Sequence, residues 1–92
     1  MALGSSISMQ GLTVKSIYTT KNGGSSDGAM SITCQADGLT IEIRTNVLRD
    51  ADGNVIKADA YEGKTIDVKG IVDFYEGKYQ IKVLSVNDII IH

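Results

Sequence analysis

KTIDVKGIVDFYEGKYQIKV, residues 64–83, is the stretch that decides the fold. Ile66, Val68, Val72 and Phe74 alternate with polar or charged neighbours. That period of two marks a strand with one buried face. Gly70 falls in the middle of the run, where a missing side chain permits a sharp bend. Glu76-Gly77 then breaks the pattern, and a second strand resumes at Lys78 and extends over 78–86. The segment therefore predicts a hairpin whose first arm, 64–74, bends halfway along. Val68, Val72 and Phe74 all belong to the inward face.

Working back from this hairpin, the same alternation appears twice more. Met30, Ile32 and Cys34 face one way over 29–36, with Ser31, Thr33 and Gln35 facing the other. Leu39, Ile41 and Ile43 face inward over 39–45, with Thr40, Glu42 and Arg44 outward. Asp37-Gly38 joins the two strands as a type I′ turn, whose central residues both need positive φ. A first strand covers 9–20, with Leu12, Val14, Ile17 and Tyr18 as its apolar positions. Its apolar side changes between Val14 and Ile17, which predicts a bulge in a long curved strand.

The connections are equally readable. Residues 21–28, KNGGSSDG, hold almost nothing apolar and three glycines, so they predict a mobile loop. Residues 46–63 predict either a small excursion hairpin around Asp52-Gly53 or a loop with one helical turn. A long helix there is disfavoured by Gly53 and the Asp/Asn cluster. Residues 1–8, in which Ala2, Gly4, Ser5, Ser6 and Ser8 are small, read as a linker, and 89–91 form an apolar tail.

The chain has 92 residues, no proline, and no apolar run of transmembrane length. Together these features predict one all-β domain over 9–92, a small five-stranded Greek-key barrel. Five flat strands left open would expose their edges, whereas a coiled first strand and a bent fourth strand suit closure. In such a barrel the first strand pairs with two others, and 46–63 plugs one end.

Residues 61–89 also resemble the C-terminal half of bacterial OB-fold domains of the nucleic-acid-binding type. The shared features are the Gly63-Lys64 entry, Ile66 and Val68 leading to Gly70, and Tyr75 and Gly77 at the turn. Gln80-Ile81 and Asp88-Ile89 complete the pattern. The resemblance implies a ligand groove over the second and third strands, flanked by the 21–28 loop and the turn near 75–78. It also implies single-stranded DNA or RNA as ligand; an oligosaccharide is a further alternative that requires solvent-exposed rings at Tyr75 or Tyr79. Similar domains occur in aminoacyl-tRNA synthetases and replication proteins. They also occur as accessory domains of bacterial secreted nucleases, surface proteins and lipoproteins. An extracytoplasmic location within a larger protein, with neighbouring domains as partners, is the matching expectation.

Candidate nucleic-acid contacts are Lys15, Lys21, Arg44, Lys69, Tyr75, Lys78, Tyr79 and Lys82. Lysines interleaved with tyrosines offer phosphate partners beside stacking surfaces. The formal net charge of −2 excludes a broad basic surface, so binding requires a local stripe. The outward positions Ser31, Thr33, Gln35, Thr40, Glu42 and Arg44 include no aromatic and one acid. That composition favours a solvated or protein-contacting face as the alternative.

Other chemistry is poorly supported. Cys34, the single cysteine, sits in an apolar stripe and reads as packing rather than a reactive thiol. Asp50 to Asn54 resembles the start of a calcium loop, but glycine and glutamate are missing from the sixth and twelfth positions, which are Val55 and Tyr61. A turn is the better reading. The only histidine is His92, the last residue of the sequence, where ends usually fray, so it is a poor base for a serine–histidine–acid set, and no histidine–cysteine metal cluster is spelled out. Gly23-Gly24 lacks the Lys-Ser/Thr of a phosphate loop. The sequence thus predicts a non-catalytic module without cofactor or metal.

Overall fold

A computed structural model describes residues 4–25, 27–75 and 77–92, and the side chains of all of these except Tyr75 and Lys78. Six strands form in chain order: β1 (Ser6–Thr19), β2 (Met30–Ala36), β3 (Leu39–Thr45), β4 (Thr65–Tyr75), β5 (Lys78–Val83) and β6 (Ile89–Ile91). Two 3₁₀ turns, Ala58–Ala60 and Val86–Asp88, are the only helical elements among the described residues. The strand order is β1-β2-β3-β5-β4, closed by pairing of β1 with β4. All neighbours are antiparallel except β3 and β5. This is a closed five-stranded Greek-key barrel with OB-like topology, as the alternation and turns predict. The short β6 lies outside the closed set and adds to β4.

The closure depends on β1, which bends enough to serve two partners. Its second half pairs with β2 and its first half with β4. The register toward β2 slips between Val14 and Ser16, at the predicted bulge. A second slip, toward β4, lies between Met9 and Leu12. Gly11 sits there with φ of 69° and donates its N–H to Asp67 Oδ1 at 2.9 Å.

Leu12, Val14, Met30, Ile32, Cys34, Ile43, Ile66, Val68, Val72, Ile81 and Val83 are buried. These are the inward positions of β1 to β5, so the alternating stripes do build the lumen. The 46–63 connection contains both predicted devices. An Arg49–Val55 bridge flanks a turn in which Asp50 Oδ1 accepts the N–H groups of Asp52 and Asn54. The 3₁₀ turn follows. Leu48 and Tyr61 from this connection are almost fully buried in the core and seal one end of the barrel.

Three details differ from the sequence reading. β1 starts at Ser6, so Ser6, Ile7 and Ser8 belong to the sheet opposite Ile71, Gly70 and Lys69. Backbone pairing with β4 recruits these residues; Ser6 and Ser8 carry no signal for it, and Ile7, which packs against the core, is a lone apolar position between them. β5 ends at Val83, and the apolar tail becomes β6. Leu39 and Phe74 lie on the inward faces but are 65% and 49% exposed. Both sit at the end of the barrel opposite Leu48 and Tyr61, where no segment among the described residues covers them. The 21–28 loop carries backbone bonds of its own at its described residues. Asp27 Oδ1 accepts from the N–H groups of Asn22 and Gly23, and Thr20 and Ala29 close its base. Residue 26 falls outside the described residues, as does Glu76 of the predicted Glu76-Gly77 turn.

Candidate nucleic-acid interface

Register determines which side chains share the outer face of the barrel. Tyr18 of β1 pairs with Ser31 of β2, Ser31 with Arg44 of β3, Arg44 with Lys82 of β5, and Lys82 with Ile71 of β4. Directly paired residues project to the same side of a sheet, and neighbouring strands lie about 4.8 Å apart. The row therefore carries an aromatic ring and two cations across roughly 14 Å. Tyr18 is 67% exposed.

Tyr18 is the functional candidate that the sequence reading missed on this face. Its apolar neighbour Ile17 pairs with Ile32 and packs against the core, which turns Tyr18 outward. The signal was present in the predicted bulge. Once β1 slips by one residue, two adjacent apolar residues cannot both face inward.

Arg44 and Lys82 line a cleft of about 560 Å³ together with Ser25, Asn46, Asp73 and Gln80. Ser25 contributes from the loop side, and Asp73 and Gln80 from β4 and β5. Asp73 opposes the two cations, and its Oδ1 accepts the N–H of Phe74 at 2.9 Å. Gln80 is only 9% exposed and faces outward beside Glu42 and Asp73. In the next row Glu42 Oε1 accepts the Thr33 hydroxyl at 3.0 Å, which fixes the single acid of the β2–β3 face.

The other candidates are dispersed. Lys21 is exposed at the start of the loop, just beyond the Tyr18 end of the row. Lys15 is exposed at the β1 bulge. Lys69 pairs with Ser8 across the β1–β4 seam and lines a separate cleft with Asp67 and Asp88. Tyr79 projects to the inward side of β5, where its ring meets Phe74 edge-on at 5.3 Å. It therefore faces away from Arg44 and Lys82. The side chains of Tyr75 and Lys78 lie outside the described residues.

Titratable groups elsewhere have structural explanations. Burial, helped by the nearby Glu42 charge, pushes the Cys34 thiol up to about 11, so it stays protonated and inert near neutrality. Burial also raises Tyr61 above its ordinary value. The Gly11 N–H, and then the bond to His92, hold Asp67 below the usual carboxylate range. His92 Nε2 lies 2.8 Å from Asp67 Oδ2 and thereby fastens the end of β6.

Comparison of the chain with protein-family models, curated proteins and solved structures finds no match.

Proposed function

We propose that this barrel is a non-catalytic accessory module that binds single-stranded nucleic acid weakly on its outer β1–β2–β3–β5 face. The observation that supports this reading is the row Tyr18–Ser31–Arg44–Lys82. Tyr18 offers a stacking surface for one base, Arg44 and Lys82 attract the adjoining phosphates, and Lys21 extends the positive edge. Gln80 and Asn46 at the cleft present amides to base edges. One exposed ring and a few cations, opposed by Asp73, give modest affinity. A second reading, an oligosaccharide ligand, is supported by the half-exposed ring of Tyr79.

The test is an anisotropy titration of a fluorescein-labelled thymidine 12-mer in 20 mM and 200 mM salt. Two phosphate contacts on a single strand give a salt slope of about −1.4, so affinity falls about 25-fold between these conditions. Tyr18→Ala removes a stack worth about 1–3 kcal/mol, a loss of roughly 5- to 150-fold. No saturable binding at 20 mM salt, or unchanged binding in Tyr18→Ala, refutes the proposal.

A further inference from the structure

The barrel wall is incomplete between β3 and β5. These strands pair only from Glu42 and Gln80 to Thr45 and Val83. Before that point, among the described residues, β3 pairs with β2 alone and β5 with β4 alone. The seam therefore opens toward the end of the barrel that holds Asp37-Gly38 and Gly77. A cleft of about 600 Å³ enters there, lined by Ile7, Met9, Leu39, Ile41, Tyr79 and Ile81. Leu39 is largely exposed and Tyr79 half-exposed. Contiguous exposed apolar surface of this kind marks an interaction site.

We propose that this open seam receives an extended peptide segment of a partner protein, with an apolar side chain flanked by a lysine or arginine. The peptide adds as a strand along the free edge of Leu39 to Ile41 and lowers its apolar side chain between Met9 and Tyr79. Two features select this occupant. The first is the unused backbone edge. A row of main-chain donors and acceptors is matched by an extended peptide, whereas a lipid chain has nothing to bond to it and a sugar does not repeat its spacing. The second is charge. Glu42 lines the cleft, and Asp37 stands exposed at the turn beside Leu39. A basic flanking residue complements both. A second copy of the chain would bring the same acids face to face in a two-fold pair.

The probe is a fluorescein-labelled heptapeptide of alternating leucine and threonine with a lysine at each end. A counterpart ends in glutamates. The lysine peptide binds saturably and at least tenfold more tightly than the glutamate peptide. Leu39→Ser and Tyr79→Ser each weaken it at least tenfold. Leu39 is exposed, so Leu39→Ser keeps the wild-type melting transition, and hydrogen exchange slows at residues 39–41 when peptide is bound. Tyr18→Ala leaves peptide binding unchanged, and Leu39→Ser leaves thymidine 12-mer binding unchanged, so the two proposals fail separately. The inference is overturned by absence of saturation, by equal affinity for the glutamate peptide, or by exchange protection confined to other strands. Self-association in sedimentation that Leu39→Ser abolishes also overturns it, by assigning the seam to a second copy.

Discussion

Gly70→Ala tests whether the barrel closes as described. A methyl group on residue 70 would sit 2.5 Å from the Lys82 carbonyl oxygen and 2.6 Å from Ile81 Cγ2. The oxygen belongs to the backbone of β5, which is bonded to β4 on one side and β3 on the other. It cannot swing away as a flexible side chain would. Relief requires β4 and β5 to separate by several tenths of an ångström where β4 hands its edge from β6 to β5. Overpacking of this kind costs about 1–3 kcal/mol. Gly70 does not have positive φ, so alanine also gains roughly 0.4–1 kcal/mol by restricting the unfolded chain. The net expectation is a loss of about 1–2 kcal/mol. For a domain of this size that lowers Tm by roughly 5–15 °C. Circular dichroism melts of wild type, Gly70→Ala and Gly53→Ala measure it. Gly53 has φ of 83° and open space around it, so its alanine variant isolates backbone strain of about 1 kcal/mol without a clash. A Gly70→Ala protein that melts at or above the wild-type temperature would refute the close approach of β4 and β5.

Three further outcomes follow from particular contacts. Leu48→Ala leaves a cavity in the sealed end and costs about 2–5 kcal/mol, enough to unfold a large fraction of a marginal domain; urea titration at 25 °C measures it. Asp67 has a folded-state pKa below its unfolded value, so its stabilisation is present above about pH 4 and is lost as pH falls through the lower folded value. Asp67→Asn is accordingly less stable than wild type at pH 7, and the two converge as pH falls below the lowered folded value; urea midpoints whose difference stays constant down the acid limb would contradict this. Cys34 is fully buried with a raised pKa, so a thiol reagent at pH 8 modifies it only as the chain unfolds, and stopped-flow labelling rates track unfolding in rising urea.

The parts of the fold that were legible in the sequence are those where one local rule acts. Asp37-Gly38 is legible because two successive positive-φ positions admit few residues, and the structure gives φ of 51° and 80°. Met30, Ile32 and Cys34 are legible because a strand has period two. Gly70 is legible because it interrupts an otherwise regular stripe. What escaped depends on partners far along the chain. Ser6 to Ser8 pair through backbone atoms, which sequence composition does not encode. Tyr18 changes face because of the slip at Lys15, and its place beside Arg44 and Lys82 needs the β3–β5 register, which no local pattern contains. Leu39 and Phe74 obey the alternation yet stay exposed, because periodicity assigns a side of the strand and not whether anything covers that side. Lys69 fell away from Lys82 for a related reason: Gly70 turns β4 between them, and β6 rather than β5 flanks the first half of that strand.

The parallel seam between β3 and β5 also dictates the order of assembly. Everything from β1 to β4 can pair as the chain emerges, but β3 stays without its outer neighbour until residues 80–83 are available. Ring closure is therefore the late and entropically costly event, and contacts so distant in sequence slow folding. During synthesis the nascent protein spends that interval as a curled ribbon with a free margin, vulnerable to pairing with another ribbon. Proteolytic removal of β5 and β6 would return the folded molecule to the same sticky state.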